Sequence, residues 1–330
     1  MPLILIDTGT TNTRVWRVEH GEPVRRIDRA VGVRDTAAEG SPARLHAALR
    51  EAIAEADGGD DLPIVAAGMA TSPLGIANAG HVHTPATVAS LAAGCQQVSV
   101  PTVAARAIVL IPGVRTHGGG EATSPEARAG AALAADVMRG EETLAIGLLQ
   151  SGTLAPGDVL FTFGSHWKAI GIDAEGRIAW SRTALTGELL DAVRRHTVLA
   201  ASLDGAPPDA PDPAWCAAGA GAVARHGVAR TLFGIRLLDQ TRGATPAERF
   251  AFLLGALAGD ALPALLGDGP ATGSRLVLTG HRAARAATRT VLSRLPCADA
   301  VPVTDLDRDE VERAWIAGAL AIWREARSRI

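Results

Sequence analysis

The sequence is poor in cysteine and lacks the motifs that cysteine usually builds. Its three cysteines, Cys95, Cys216 and Cys297, are odd in number and far apart, and no two of them form a C-x-x-C pair. This argues against a disulfide framework and against a zinc site. We expect three buried thiols.

An excess of either charge is missing as well. The chain has 32 basic and 35 acidic residues, which gives a formal net charge of −3. The chain therefore lacks the excess of positive charge that binding to nucleic acid or to an anionic membrane usually requires, and a small-molecule partner is favoured. The first residues lack a basic n-region, and no apolar run looks long enough to span a bilayer. We expect a cytoplasmic protein, and we leave homo-oligomerisation open.

A Walker A loop is also absent, because no segment reads G-x-x-x-x-G-K-[ST]. A nucleotide would have to bind through another fold. Length then favours two domains, since 330 residues with 47% hydrophobic content exceed what a single core usually holds. The glycine- and alanine-rich residues 114–135 are the best boundary or flexible insertion. We therefore expect an N-terminal lobe at 1–135 and a C-terminal lobe at 136–330.

Residues 3–18 read as a β-hairpin with a polar tip. Two β-rich runs flank a turn of small residues, and Asp7 stands where the first run ends. Gly9 lets a ligand approach the backbone, and turn amides can point at an anion. Neutral hydrogen-bonding groups come from Thr8, Thr10, Thr11, Asn12 and Thr13. Because Asp7 suits a phosphate carried with Mg²⁺, the pattern indicates a metal-nucleotide cradle. An ordinary exposed hairpin turn is the alternative.

A second candidate region follows the buried strand predicted at residues 63–69. A helix with Leu45, Leu49, Ile53 and Ala56 on one face precedes this strand. Because a helix connects the strands, the first strand of the hairpin and the strand at 63–69 are predicted to pair in parallel. Ligands of open α/β sheets gather at the carboxyl ends of such strands. Residues 68–75 are therefore a candidate substrate loop, and an ordinary connection fits them equally well. His81 and His83 follow without a third metal ligand, which favours strand or loop positions.

Two adjacent carboxylates, Glu141 and Glu142, stand at the start of a predicted apolar helix. Negative charge at this place complements the helix dipole, so a capping role is one interpretation. A catalytic base is the other, and the pattern leaves both open.

The second half of the chain repeats the hairpin arrangement. Residues 158–164 and 167–172 are predicted strands joined by a turn at Gly164, Ser165 and His166, and residues 177–181 continue the meander. A helix is predicted to open at Thr186, with Leu189, Leu190 and Val193 facing inward. A buried strand then ends at Gly280, directly before another helix, where a nucleotide could rest against the backbone.

These motifs resemble those of a known superfamily. The run Asp7-Thr8-Gly9-Thr10-Thr11-Asn12, the run Gly164-Ser165-His166-Trp167-Lys168 and the run Leu278-Thr279-Gly280 resemble the phosphate-1, phosphate-2 and adenosine motifs of actin-like ATPases. Residues 138–143, residues 183–189 and the Gly-Ser-His-Trp-Lys turn look most like the 2-dehydro-3-deoxygalactonokinase family. The likeness extends over nearly the whole chain.

The resemblance implies an α/β, two-lobed actin-like ATPase fold of the ribonuclease H-like type, with the active site in a cleft between lobes that close on Mg-ATP and a sugar acid. ATP would phosphorylate the C6 hydroxyl of 2-dehydro-3-deoxy-D-galactonate in galactonate catabolism. Catalysis would consist mainly of positioning and charge stabilisation.

The resemblance also implies residue roles. Glu141, with Glu142 as its rival, would be the catalytic base, and Asp7 would hold Mg²⁺ through water. Residues expected to bind ATP are Thr8, Gly9, Thr10, Thr11, Asn12, Gly164, Ser165, His166, Lys168 and Gly280. Residues expected to bind the sugar acid are Arg14, Gly68, Met69, Ser72 and Arg139. The substrate carboxylate needs a cation, which Arg139, Arg14 or Lys168 could supply.

Residues 70–76 depart from the family pattern, so a related sugar acid is an alternative substrate. Two other classes of protein are alternatives to the kinase. A nucleotide-dependent regulatory protein of the same fold is disfavoured, because the chain has neither a basic helix-turn-helix segment nor a spare domain. A metal-dependent hydrolase built on His81, His83 and Glu141 would need bound transition metal, and it is disfavoured as well.

Overall fold

The computed structural model describes residues 1–119, 123–205, 207–267, 274–294 and 301–329. Its strands are β1 Leu3–Thr8, β2 Thr13–Glu19, β3 Glu22–Arg29, β4 Ile64–Gly68, β5 His81–His83, β6 Gln96–Val98, β7 Ile108–Leu110, β8 Gly113–Thr116, β9 Asp136–Met138, β10 Val159–Phe163, β11 Trp167–Ile172, β12 Ile178–Ala184, β13 Leu276–Gly280 and β14 Val303–Asp305. Its α-helices are α1 Val33–Glu39, α2 Ala43–Asp57, α3 Val88–Ala93, α4 Pro125–Ala134, α5 Glu141–Gln150, α6 Thr186–His196, α7 Pro213–Arg242, α8 Pro246–Leu266, α9 Arg282–Leu292 and α10 Arg308–Ala326. Short 3₁₀ turns lie at Met69–Thr71 and Val198–Leu203.

The chain folds into two compact units. Unit 1 comprises Met1–Pro156, Ile172–Ser181 and Asp309–Ile330, and unit 2 comprises Gly157–Gly171 and Arg182–Arg308. The lobe boundary predicted between residues 135 and 136 therefore falls inside unit 1. Strand β9 explains this position, because it pairs with β8 and keeps the chain beyond residue 135 in the same unit.

The main sheet of unit 1 has the strand order β3-β2-β1-β4-β7-β6. Strands β1 and β2 form the expected hairpin, with Thr8 opposite Thr13, and β1 pairs in parallel with β4, with Thr8 opposite Gly68. The apolar face of α2 covers this sheet, because its leucines and Ile53 recur at helical spacing and are buried in the same core as Ile4 and Ile6. Hairpin, crossover helix and parallel strand thus bring the carboxyl ends of β1 and β4 together.

The C-terminal helix α10 belongs to unit 1. The Trp315 ring lies 5.2 Å from the Trp16 ring, and the Trp16 indole Nε1 donates to Glu312 at 2.8 Å. The backbones of α10 and α5 are also in close contact, since a Cβ placed on Gly147 would lie 1.7 Å from the Ala314 carbonyl oxygen. Helix α5 is therefore fixed from behind by the end of the chain.

The sheet of unit 2 has the order β12-β11-β10-β13-β14, and β12 passes along the chain from unit 1 into unit 2 at Arg182. Strands β10 and β11 are antiparallel, whereas β10 and β13 are parallel, with Phe163 opposite Gly280. The predicted meander is confirmed. This arrangement repeats the plan of unit 1, in which an antiparallel hairpin is followed by a parallel strand that ends in glycine.

The predicted insertion at residues 114–135 contains regular structure. The structure describes residues 114–119 and 123–135 of it, which hold most of β8 and the whole of α4. Ser124 caps α4, accepting from the Ala127 amide at 3.1 Å, and Pro125 occupies its first turn. The sequence pattern did not predict α4, because its alanines and glycine form no apolar stripe at helical spacing.

Two further expectations about burial need correction. Leu189 was expected to face inward, but its side chain is 39% exposed, whereas Val193 of the same helix is buried. Cys216 is buried and Cys95 is partly buried, and both are free thiols. Cys297 lies outside the described residues.

The expectation that no apolar run could span a bilayer was wrong for α8. By length and composition alone, this helix could cross a membrane, although 78% of its most apolar window is buried inside the fold. Its buried residues include Phe250, Leu253, Leu254 and Leu257, and they share a core with Ile235 of α7 and Ala287 of α9. In this structure α8 is a core helix of unit 2.

Candidate active site

The hairpin tip of unit 1 presents only part of its polar residues outward. The Thr8 and Thr13 side chains are fully buried, their hydroxyls lie 3.3 Å apart, and the Thr13 hydroxyl donates to the Val31 carbonyl. The Thr8 hydroxyl, predicted to bind ATP, therefore supports the hairpin from inside. The Thr11 and Asn12 side chains are exposed and contact each other at 3.0 Å.

The first turn of α1 holds the tip in place. The Val33 amide donates to the Gly9 carbonyl at 3.2 Å, and the Arg34 amide donates to the Thr10 carbonyl at 2.9 Å. A Cβ on Gly32 would lie 2.5 Å from the Thr10 carbonyl, so this contact requires glycine. Within the described ranges, the Thr10 and Thr11 amides donate no hydrogen bond. The Gly9 and Thr10 carbonyls are engaged by α1 while the Thr10 and Thr11 amides make no hydrogen bond, so this turn fits a phosphate.

Asp7 lies at the carboxyl end of β1 and forms an ion pair with Arg14, the residue opposite it on β2, at 3.1 Å. Burial raises the pKa of Asp7 above its usual value; the Arg14 charge opposes this effect, and nearby Glu141 adds to it. A bound divalent cation would offset the cost of keeping this carboxylate ionised. Asp7 thus fits a Mg²⁺ site, as the resemblance implied.

Two glycines bring the start of α5 against Asp7. A Cβ on Gly68, which has a φ of +68°, would lie 2.6 Å from Asp7 Oδ1. Gly140, at a φ of +103°, is so near that its own Cβ would lie 3.2 Å from the Gly68 Cα. These positions tolerate no side chain. The bare backbone allows Asp7 and the first residue of α5, Glu141, to share one small region of unit 1.

The two glutamates of α5 have different environments. Both carboxylate oxygens of Glu142 accept from the Gly140 amide at 2.8 Å, and the Thr143 hydroxyl donates to one of them at 3.3 Å. Burial, with the nearby Glu141 charge as a second cause, raises the pKa of Glu142 to about 8. Glu141 is half-buried, and in the part of the chain that is described its carboxylate accepts no hydrogen bond. Glu142 therefore has the capping role, while Glu141 is left available.

The candidate substrate loop is compact and internally bonded. The buried Ser72 hydroxyl donates to the Met69 carbonyl at 2.8 Å, and a Cβ on Gly75 would lie 2.4 Å from that same carbonyl. Arg139 fastens this loop to the start of α5 through hydrogen bonds to the Thr71 carbonyl, the Thr71 hydroxyl and Asn78 at 2.7 to 3.1 Å. Three donor contacts of Arg139 are thus already used within unit 1.

The hairpin turn of unit 2 is held in the same way as that of unit 1. The Glu188 amide, in the first turn of α6, donates to the Ser165 carbonyl at 2.8 Å, and a Cβ on Gly187 would lie 2.1 Å from the Gly164 carbonyl. The His166 ring lies 3.3 Å from the Glu188 carboxylate. Gly164 is exposed, and Ser165 and His166 are partly exposed, so this turn is open to a ligand.

Lys168 lies deeper than the turn. Its side chain is buried on β11, opposite Thr162, and its ammonium donates to the Thr183 hydroxyl of β12. Phe163 of unit 2 corresponds to Thr8 of unit 1, since Phe163 pairs with Gly280 and Thr8 pairs with Gly68. Thr162, the residue before Phe163, therefore corresponds to Asp7. Unit 2 therefore has a hydroxyl where unit 1 has the carboxylate suited to Mg²⁺.

Gly280 ends β13 with a φ of +96° and is exposed. A Cβ there would lie 2.5 Å from the Phe163 carbonyl, which also accepts from the His281 amide at 2.9 Å. Only glycine lets the chain turn at this point beside the hairpin strand. The open backbone fits the expected contact with adenosine.

His81 and His83 lie on β5, as the sequence favoured. Burial, followed by the charges of Arg139 and Arg115, lowers the pKa of His81 to about 4, so this ring is neutral near pH 7. In the ranges that the structure describes, no three His, Cys, Asp or Glu side chains are grouped as metal ligands.

Sequence reasoning missed Gly32, Gly140 as the residue packed on Gly68, and the clamp made by Arg139. A glycine immediately before a helix start was the available signal for Gly32 and Gly140. Nothing in the sequence paired them with Thr10 and Gly68, because those contacts join residues that are distant along the chain.

The chain is similar to known proteins over nearly its full length. Residues 7–319 match the model of the family described as 2-keto-3-deoxy-galactonokinase. The protein of Rhizobium meliloti strain 1021 named probable 2-dehydro-3-deoxygalactonokinase is 31% identical over 327 residues, which cover 96% of each chain. A crystal structure of a Sinorhizobium meliloti protein named for the same activity has a TM-score of 0.73 at 28% identity, covering 97% of this chain and 99% of its own. Component A of the Acidaminococcus fermentans (R)-2-hydroxyglutaryl-CoA dehydratase has a TM-score of 0.53 at 13% identity over 99% of both chains, which shows a shared fold alone.

Proposed function

The chain belongs to the 2-keto-3-deoxy-galactonokinase family, and from that membership we propose that it transfers the γ-phosphoryl group of ATP to the C6 hydroxyl of 2-dehydro-3-deoxy-D-galactonate. It is a carbohydrate kinase with an actin-like ATPase fold, and its reaction belongs to galactonate catabolism. In the reaction the substrate O6 forms a bond to the γ-phosphorus, the bond from that phosphorus to the β,γ-bridging oxygen breaks, and ADP leaves.

Unit 1 would hold the reacting phosphates. The Thr10 and Thr11 amides, which donate no hydrogen bond in the described residues, support phosphate binding together with Gly9 and Asn12, and Asp7 would hold Mg²⁺ through water. Magnesium, when bound, neutralises charge on the phosphate oxygens. The protein has to keep the β1–β2 turn in a fixed position. Helix α1 does so, because its first amides bond to the Gly9 and Thr10 carbonyls.

The observation that carries the catalytic assignment is the separation of the two glutamates. Glu142 is buried and occupied by the Gly140 amide, whereas the Glu141 carboxylate stands beside Asp7 with no hydrogen bond in the described structure. We assign Glu141 as the base that accepts the proton of the substrate hydroxyl as O6 attacks.

The nucleotide contacts expected for unit 2 lie at its hairpin turn and at the end of β13. Gly164, Ser165 and His166 form its open turn, and Gly280 offers bare backbone to adenosine. Lys168 would act from inside the sheet, where its positive charge lies behind the turn. These assignments rest on the resemblance of residues 164–168 and 278–280 to the phosphate-2 and adenosine motifs of actin-like ATPases.

Arg14 is our choice for the substrate carboxylate. Its side chain is 40% exposed and donates one hydrogen bond to Asp7. Arg139 instead donates three hydrogen bonds to the loop, and Lys168 is buried. A guanidinium with open donors can pair with a carboxylate in a bidentate manner. Gly68, Met69 and Ser72 would shape the pocket, with Ser72 acting through the loop backbone rather than through its hydroxyl.

The test is ADP release from Mg-ATP against a panel of aldonates and 2-keto-3-deoxy sugar acids, with a control that contains no sugar. We expect saturable release with 2-dehydro-3-deoxy-D-galactonate and much less with the gluconate form. Release with another acid would keep the mechanism and change the substrate, a result that residues 70–76 make worth testing. Release without sugar, or none with any acid, would overturn the kinase assignment.

A further inference from the structure

One buried acid beside the candidate active site has no part in the chemistry proposed above. Glu142 is 1% exposed, and its carboxylate points back at the backbone of the residue two positions before it. A capping glutamate normally sits at the third helical position and bonds to the N-cap amide. In α5 the third position is Thr143, and Glu142, at the second, makes that bond instead. This unusual position suggests a purpose beyond helix stability.

We propose that Glu142 is a positioning residue: its carboxylate fixes the Gly140 peptide in a left-handed conformation and thereby holds Glu141 in place as the base. The proposal rests on the assignment of Glu141 in the proposed function. It concerns a residue that does not itself touch the substrate.

The geometry around Gly140 supports this role. Its φ of +103° and ψ of −38° lie outside the helical region, and its amide would have no intrahelical acceptor. The two Glu142 oxygens at 2.8 Å are the acceptors that this amide has in the described chain. Because an amide without an acceptor is unfavourable in a partly buried place, these two contacts restrain the Gly140 peptide.

Glu141 follows Gly140 directly, so a rotation of the Gly140 peptide would move the Glu141 carboxylate. The available space leaves little freedom on the other side, because Gly140 packs against the Gly68 Cα. The Glu142 carboxylate binds the Gly140 amide on the side of the helix, and Gly68 contacts Gly140 on the side of the sheet. Glu141 is therefore placed by two contacts that neither substrate nor nucleotide provides.

The charged groups that act on Glu142 are Glu141 and Arg139, one on each side of Gly140. Glu141 raises the pKa of Glu142 and Arg139 lowers it, while burial is the largest effect. Burial and Glu141 therefore both favour the neutral form of this acid. A glutamine has the same shape, keeps a carbonyl oxygen for the Gly140 amide and matches that neutral form.

The experiment compares Glu142→Gln and Glu142→Ala with Glu141→Gln in the full-length protein, with kcat, both KM values and the pH profile of kcat/KM as readouts. We expect Glu142→Gln to keep kcat within about threefold and to keep the acid limb of the pH profile. We expect Glu142→Ala to lower kcat at least tenfold, with the KM for ATP changed less than about threefold. Glu141→Gln should lose both rate and acid limb.

Two further variants keep the test decisive if Glu142→Ala fails to fold. Gly140→Ala disturbs the same peptide without removing the acid, and we expect the same selective loss of kcat. Glu126→Ala is the matched control, because Glu126 also occupies the second position of a helix, α4, but is exposed; its kinetics should not change.

Two results would overturn the proposal. Glu142→Gln as inactive as Glu141→Gln would make Glu142 a chemical participant, and full activity in both Glu142→Ala and Gly140→Ala would remove the positioning role. Full activity in Glu141→Gln would instead refute the assignment of the base in the proposed function, so the two failures are distinguishable.

Discussion

At the scale of single residues, the start of α5 shows how neighbouring carboxylates acquire different properties. Glu142 is enclosed and accepts hydrogen bonds from Gly140 and Thr143, while Glu141 is half-buried beside Asp7. The amino-acid pattern alone could not separate them, because both positions lie in the first helical turn. The start of α5 packs against Gly68 through Gly140 and against Gly318 of α10 through Thr143, and both partners are remote in sequence.

The enclosed acid makes a prediction about stability and pH. The pKa of Glu142 is raised from its usual 4.5 to about 8, so between these values the folded protein binds a proton that the unfolded chain has released. The contribution of this acid to stability is then complete below pH 4.5 and is lost as the pH rises through 8. We expect Glu142→Gln, which cannot ionise, to gain stability relative to the parent protein between pH 5 and pH 8.5.

Urea unfolding of both proteins at pH 5, 7 and 8.5 measures this effect. Asp7 also has a raised pKa and changes stability in the same direction, but it is present in both proteins and cancels in the difference. A stability difference that stays constant across these pH values would show that Glu142 is already ionised at pH 5.

At the scale of secondary structure elements, the β1–β2 hairpin and the β10–β11 hairpin, both proposed to bind nucleotide, are each held by the first turn of a helix. Gly32 lets α1 reach the β1–β2 turn, and Gly187 lets α6 reach the β10–β11 turn. The turn carbonyls bond to the helix amides, which fixes the orientation of the turn peptides. Both hairpins were predicted from the sequence because their strands alternate and their turns are rich in glycine and hydroxyls. The helices that brace them could not be assigned to them, since no local signal encodes such a contact.

We predict that Gly32→Ala selectively weakens nucleotide binding. The added Cβ would lie 2.5 Å from the Thr10 carbonyl and 2.6 Å from the Thr11 amide nitrogen, and these are backbone atoms that cannot move aside easily. Overpacking of this kind costs roughly 1 to 3 kcal/mol, so a shift of the turn in the free protein would lower the affinity for Mg-ATP by about 5-fold to 150-fold. Isothermal titration with a non-hydrolysable ATP analogue would measure it.

Gly130→Ala is the matched control for this substitution. Gly130 lies inside α4, and a Cβ there would meet nothing within 4 Å. Alanine should stabilise this helix by about 0.5 to 1 kcal/mol and leave nucleotide affinity unchanged. Equal affinities in the two variants and the parent protein would show that the α1 contact does not shape the nucleotide turn.

At the scale of the whole molecule, the two units share one plan. In each, a hairpin is followed by a parallel strand that ends in a left-handed glycine, Gly68 in unit 1 and Gly280 in unit 2. The repeat is imperfect at one chemical position, because Asp7 of unit 1 corresponds to Thr162 of unit 2. The proposed metal ligand therefore comes from unit 1.

The strands of the two hairpins, the parallel strands β4 and β13 and the helix that starts at Glu141 could be predicted from the sequence, because each has a local pattern of burial or turn residues. The division of the chain could not, because α10 returns to unit 1 through Trp315 and Glu312, and such a contact leaves no mark in composition. Residues 114–135 were wrongly predicted to mark the boundary between the lobes. Their glycines and alanines suggested a linker, whereas α4 and its neighbouring strands continue unit 1.

The central claim is that this chain is a sugar-acid kinase whose base is Glu141. The most direct test follows the product of Mg-ATP and 2-dehydro-3-deoxy-D-galactonate by phosphorus NMR, for the parent protein and for Glu141→Gln. We predict a phosphate monoester at C6 formed in equal amount with ADP, and a rate that falls about 10²-fold to 10⁴-fold in the variant. Inorganic phosphate in place of the ester, an ester at another carbon, or equal rates for the two proteins would contradict the account.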